Sequence, residues 1–105
     1  MLLVYVTCKD EEEASKIAKV LLEKKLCACT NISANMKSMY FWPSESNKIE
    51  ASNEVVLLVK TITAEFEKLA NEVKKIHSYE IPCIFGTKVD YIDDDFEVYV
   101  NKQIK

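Results

Sequence analysis

Leu2-Leu3-Val4-Tyr5-Val6 is a continuous apolar run of strand-forming residues, and its lack of alternation predicts a strand covered on both faces. The period then changes. Ala14, Ile17, Ala18, Leu21 and Leu22 recur at the spacing of a helix with one buried face, while Lys16, Lys19, Glu23 and Lys24 take the solvent side. Asp10 stands where an N-cap is needed, Glu13 is placed to be its capping-box partner, and the acids from Asp10 to Glu13 suit the positive end of the helix.

From Cys27 to Trp42 the residues are small, β-branched and aromatic, which predicts one long strand. Cys27, Cys29 and Asn31 fall on one side of it and Ala28, Thr30 and Ile32 on the other. Pro43-Ser44-Glu45-Ser46-Asn47 is a polar turn, and the chain returns through Lys48-Ile49-Glu50 and Glu54-Val55-Val56-Leu57-Leu58-Val59, so a hairpin is expected. Thr63 is the expected cap of a second helix with the stripe Phe66, Leu69, Ala70, Val73 and Ile76, ending before His77. Ile81-Pro82-Cys83-Ile84-Phe85 reads as a fourth strand, with Pro82 at its start and a bulge at Gly86. Asp93-Asp94-Asp95 can cap a last short helix carrying Phe96, Tyr99, Val100 and Ile104.

The order β-α-β-β-α-β plus a C-terminal helix is that of the split β-α-β, or ferredoxin-like, α+β fold with an antiparallel sheet. Residues 1–105 form one domain, since this length supports a single core. Helices cover one face of such a sheet. The other face would present Tyr40, Trp42 and aliphatic residues to water, so an oligomer joined through that face is expected.

Composition narrows the function. The chain is 49% hydrophobic and 30% charged with one glycine, which excludes disorder and any glycine-rich phosphate cradle. Seventeen acidic residues oppose fourteen basic ones, and every basic residue is lysine. Arginine is the preferred residue for bidentate phosphate and guanine contacts, so its absence argues against a nucleic-acid partner. No run of about 18 apolar residues is present, which argues against a membrane span and leads to the expectation of a cytoplasmic protein. Cys8, Cys27, Cys29 and Cys83 form no Cys-x-x-Cys pair, so zinc-ribbon and redox-pair readings are disfavoured and small buried thiols are expected. No local nucleophile and base pattern supports an enzyme.

Val4-Tyr5-Val6-Thr7, the stretch from Leu22 to Ile32, Ser38-Met39-Tyr40-Phe41-Trp42, Lys48-Ile49-Glu50, Glu54-Val55, Lys60-Thr61 and His77-Ser78-Tyr79-Glu80-Ile81-Pro82 occur in the order, and nearly at the spacing, of one family. The chain resembles the CutA divalent-cation tolerance proteins over essentially its whole length. The resemblance implies a ferredoxin-like fold, a tightly interlocked homotrimer and a non-enzymatic role in metal tolerance. Ser78 and Cys83 stand where the family usually has proline and glutamate, and the 43–47 segment is longer and lacks glycine. The cysteine that ligates copper in some members aligns with Val6, and Cys8, two residues on, is out of register for that role.

His77 is the only histidine, and imidazole suits borderline metals. With Glu80 three residues away and Cys83 as a soft donor, His77, Glu80 and Cys83 form the candidate metal set, for copper or zinc, to be completed by a second subunit. A helix-end cap for His77 and a structural thiol for Cys83 are the competing readings. The candidate cleft residues are Tyr40, Trp42, Glu54, Lys60 and Tyr79, together with Cys29, which the resemblance implies lies near a cleft between subunits. Tyr40 and Trp42 share a strand face and would floor a pocket or pack between subunits. Lys60 would attract an anion or sit on a rim, paired with Glu50 or Glu54. The alternative function is a trimeric signalling module similar to the nitrogen-regulatory PII proteins, binding a small anionic metabolite through Lys60 and His77. Its weakness is residues 43–48, too short for a docking loop.

Overall fold

The computed structural model describes residues 1–33 and 35–104. Its elements in order are β1 (Leu2–Cys8), α1 (Glu11–Glu23), β2 (Cys29–Ile32), β3 (Met36–Phe41), β4 (Ile49–Thr61), α2 (Phe66–Ile76), β5 (Ile84–Lys88) and α3 (Asp94–Gln103). Every strand pair is antiparallel, and the main sheet runs β2-β4-β1-β5. The architecture is the expected α+β, ferredoxin-like one.

Leu2, Val4, Val6 and Cys8 of β1 and Val55, Leu57, Val59 and Thr61 of β4 point to one face, where Ala14, Ile17 and Leu21 of α1 and Leu69 and Val73 of α2 cover them. The apolar run at the start therefore alternates after all, with Leu3 and Tyr5 half-buried on the opposite face. Leu22, expected on the buried side of α1, is 38% exposed. Asp10 caps α1 by accepting from the Glu13 N–H at 2.8 Å. The helix ends in a Schellman turn, with Leu26 N–H donating to Leu21 and Lys25 N–H to Leu22. Lys25 occupies the left-handed position at φ 59° that glycine normally fills.

The single strand expected from Cys27 to Trp42 is two strands, β2 and β3, and Ala34 between them lies outside the described residues. Both pair with the long β4, β2 against Leu57–Lys60 and β3 against Ile49–Glu54. Within β4, β1 pairs only with Val55–Thr61, so β3 and the first part of β4 leave the main sheet as a two-stranded ribbon. The ribbon gives the molecule its extents of 47 × 26 × 24 Å, and the radius of gyration of 14.7 Å exceeds the roughly 13 Å of a compact domain this long. Met39, Phe41, Trp42 and Ile49 stand exposed on it.

Three local expectations are corrected. Thr63 makes no side-chain cap and opens a 3₁₀ turn leading into α2. β5 begins at Ile84, so Ile81, Pro82 and Cys83 precede the strand. Gly86 is no bulge: it pairs with Val4 in regular register, and a Cβ there would lie 3.0 Å from the Leu2 side chain. α3 is capped by Asp93, which accepts from the Phe96 N–H, and its Val100 packs with Ile104, Ala28, Met1, Ile62 and Phe96 in a smaller second core, while Tyr99 is 44% exposed.

Candidate functional site

Period-two alternation places Tyr5 and Thr7 of β1 and Glu54 of β4 on the face away from α1 and α2. The ribbon brings Met36, Ser38, Met39, Tyr40 and Trp42 over the same face, and the segment between α2 and β5 closes the third side with Tyr79, Glu80, Ile81 and Cys83. Together they line an open pocket of about 580 Å³.

Glu54 is the buried charge of this pocket, only 8% exposed. One of its carboxylate oxygens accepts from the Tyr79 hydroxyl at 2.6 Å. Burial first, and then this bond and the nearby negative charge of Glu54, push the Tyr79 phenol far above its ordinary value. Cys83 is exposed at the pocket wall, and burial of its thiol together with the Glu54 charge raises its pKa. Among the described residues, neither Glu54 nor Glu80 has a lysine or histidine partner within ion-pair distance. Tyr40 is anchored by a 3.2 Å bond from its hydroxyl to Ser52 Oγ.

His77 lies behind the pocket with its side chain wholly buried. The Tyr79 N–H donates to Nδ1 at 3.1 Å, so the neutral ring carries its proton on Nε2 and donates to the Thr7 carbonyl at 2.7 Å. Both nitrogens are engaged. Its backbone closes the last turn of α2, but the ring bonds to β1 and not to a free helix carbonyl, which alters the cap reading. His77, Glu80 and Cys83 do not converge within one chain; among the described residues, the one group of three potential ligands is Cys8, Glu13 and His77, with ligand atoms within 4.8 Å of one another. Cys8 therefore reaches His77 with β1 in unbroken register, correcting the expectation that it is out of place.

That cluster is chemically occupied. Glu13 accepts from the Lys9 N–H at 3.0 Å and, through its other oxygen, from the Ser78 N–H at 2.8 Å. Burial alone would raise the Glu13 pKa, but the bonds from Ser78 and Lys9 and the nearby His77 outweigh it and the net shift is downward. Burial, and then the charges of Glu13, Glu54 and Asp10, push the Cys8 thiol up to about 12. A protonated thiol, a twice-bonded carboxylate and a fully used imidazole form a structural tie between the end of β1, the start of α1 and the segment after α2.

The pocket thus gathers Tyr40, Trp42, Glu54, Tyr79, Glu80 and Cys83, and leaves out His77, Cys29 and Lys60. Cys29 and Lys60 pair across β2 and β4, and the Lys60 ammonium donates to Asn31 Oδ1, not to Glu50 or Glu54. Sequence reasoning missed Tyr5, Thr7, Met36 and Met39 as lining residues and Glu13 as a partner of Ser78. The alternation along β1 could have singled out Tyr5 and Thr7; nothing local links Glu13 to a residue 65 positions away.

Fold and site define a ferredoxin-like α+β protein with an acidic, aromatic pocket on the sheet face opposite its two long helices. The model of the CutA1 divalent ion tolerance protein family matches residues 2–103, and the chain belongs to that family. The divalent-cation tolerance protein CutA of Archaeoglobus fulgidus is 42% identical over 102 residues, covering 90% of this chain and 96% of that protein. CutA of Pyrococcus horikoshii is 33% identical over 105 residues, covering 100% of this chain and 99% of the relative. Among solved structures, the A. fulgidus protein, described as a periplasmic divalent cation tolerance protein, superposes with a TM-score of 0.93 at 39% identity over 100% of both chains. CutA1 from P. horikoshii superposes at 0.91 with 32% identity, covering 100% of this chain and 99% of that one. No helix among the described residues is long and apolar enough to cross a membrane.

Proposed function

We propose that the chain acts as a cytosolic homotrimer that binds a divalent cation, copper or zinc, in this pocket, with a neighbouring subunit completing it. The observation that carries the reading is the charge of the wall: Glu54 and Glu80 are its charged side chains, both acidic and, among the described residues, both without a cationic partner. Glu54, Glu80 and Cys83 offer oxygen and sulfur donors of the kinds a borderline cation takes, but they form no converging group of three within one chain, so the reading needs donors from a second copy. His77 serves by holding Tyr79, which in turn holds Glu54. The exposed apolar ribbon supports the trimer, being large for a surface left to water. Four free cysteines are consistent with a reducing compartment. The anionic-metabolite alternative loses support because Lys60 lies outside the pocket and is engaged by Asn31.

A thermal-shift series with Cu²⁺, Zn²⁺, Mg²⁺ and a panel of anionic metabolites tests the sign of the ligand. A cation at about 100 times its Kd stabilises the folded state by about 2.7 kcal/mol. Stabilisation by zinc or copper that is lost in Glu54→Gln and kept in Lys60→Ala is expected; stabilisation by an anion that is lost in Lys60→Ala would overturn the reading.

A further inference from the structure

The helix layer carries a second recess, on the opposite side of the sheet from the face and ribbon that would join copies. α2 presents Lys68, Asn71, Glu72 and Lys75 along one stripe, since positions three and four apart share a helical face. The end of α1 sets Lys24 and the buried Leu26 against that stripe, and the six residues line an open groove of about 420 Å³.

Three ammonium groups share this groove with one carboxylate, which leaves it two positive charges in a chain whose net charge is −3. Glu72 accepts from Lys24 Nζ at 2.9 Å through one oxygen and from Lys75 Nζ at 3.1 Å through the other. Lysines from two separate elements therefore already converge on an anionic group. Their bonds, that from Lys24 foremost, hold the Glu72 carboxyl below its ordinary value. An ammonium has three N–H donors, so Lys24 and Lys75 keep donors to spare. Lys68 has, among the described residues, no acidic partner within ion-pair distance.

A neutral ligand gains nothing from this excess of charge, and a cation would be repelled. Glu72 already supplies one negative charge, so a ligand that takes its place must carry more than one. The chain has no arginine, and the groove therefore offers no planar fork for a carboxylate. Lysines act as point charges, which suit the several oxygens of a phosphoryl group. We propose that the groove between α1 and α2 binds a small anion bearing two or more phosphoryl groups, held by Lys24, Lys68 and Lys75 with Glu72 displaced from between them. The Asn71 amide adds a neutral donor on the same stripe. The groove shares no residue with the acidic pocket, and its occupant does not depend on what that pocket holds.

The test is calorimetric titration of the intact protein with pyrophosphate, in buffer without added metal because pyrophosphate chelates divalent cations. Saturable binding that weakens as salt is raised is expected. Lys68→Gln should weaken it about fivefold, and Glu72→Gln, which removes the competing charge, should tighten it by about as much. Lys60→Ala on β4 and Lys88→Gln on β5 should leave it unchanged. Circular dichroism and sedimentation confirm that each variant keeps the fold and assembly of the parent. No saturable binding, a Glu72→Gln variant that binds no more tightly, or a loss in Lys60→Ala or Lys88→Gln matching that in Lys68→Gln overturns the inference.

Discussion

Glu13 and Ser78, 65 residues apart, are joined by a 2.8 Å bond from the Ser78 backbone N–H to the Glu13 carboxylate, which fixes the segment carrying Tyr79 and Glu80 to the first turn of α1. Because bonding keeps the Glu13 pKa below its ordinary value, folding favours the ionised form. Its stabilisation is complete above the unfolded-state value of about 4.3 and is lost as pH falls through the lower folded-state value. Glu13→Gln should cost about 1.5–3 kcal/mol at neutral pH and flatten the acid side of the stability curve. Urea denaturation of both proteins at neutral and strongly acidic pH checks this; parallel curves would contradict it.

Tyr79 reaches across the pocket to Glu54 at 2.6 Å, and a hydrogen bond to a buried carboxylate is worth more than a neutral one. Tyr79→Phe should lower stability by about 1.5–3 kcal/mol while leaving the fold intact. Chemical denaturation measures the loss. A change below about 0.5 kcal/mol would show that the bond contributes little beyond what water supplies.

The four thiols should differ in reactivity. Burial and neighbouring acids push Cys8 up to about 12, and burial with the neighbouring Cys29 pushes Cys27 up to about 11, so neither presents thiolate at pH 8. Both should resist alkylation until the protein unfolds, whereas Cys83, whose thiol is also pushed up but which is exposed to the reagent, should react in the native state, and zinc should protect it if it is a ligand. Mass spectrometry of timed alkylation reads the order. Native modification of Cys8 ahead of Cys83 would contradict the packing described.

Lys25 closes α1 in the left-handed conformation, where a side chain costs about 1 kcal/mol that glycine does not. Part of the gain from Lys25→Gly is offset by the freer unfolded chain, so a net stabilisation of at most about 1 kcal/mol is expected from the denaturation midpoint. A destabilised variant would show that the lysine stem contributes packing larger than the strain.

Trp42 is 44% exposed on a ribbon that also presents Met39, Phe41 and Ile49 to water. If that surface joins copies of the chain, Trp42→Asp should turn the assembly into monomers or aggregates. Sedimentation velocity decides this: a soluble trimer of unchanged mass would exclude Trp42 from the contact.

Elements with a repeating signal were readable from the sequence. α1 announces itself through Asp10, Glu13 and the Ala14-Ile17-Ala18-Leu21 stripe, and the same residues form the cap and buried face in the structure. The start of β5 was not readable, because what ends its pairing is distant. β5 last pairs at Ile84 with Val6, and the next carbonyl of β1, that of Thr7, accepts from the His77 ring instead. Pro82 has no N–H to offer a ladder there. Tyr40 and Trp42 could be assigned to one face by period two, but their approach to Glu54 and Tyr79 depends on where the ribbon leaves the main sheet. His77 and Lys60 were plausible ligands by residue type alone, and only their partners, Thr7 and Tyr79 for one and Asn31 for the other, show how they are engaged.

The most direct test of the central claim, that the acidic pocket around Glu54 holds a divalent cation, is equilibrium dialysis of Zn²⁺ against the native protein and Glu54→Gln. The account predicts saturable binding weakened at least about tenfold by the substitution, a loss of about 1.4 kcal/mol or more. Equal zinc uptake by the two folded proteins would contradict it.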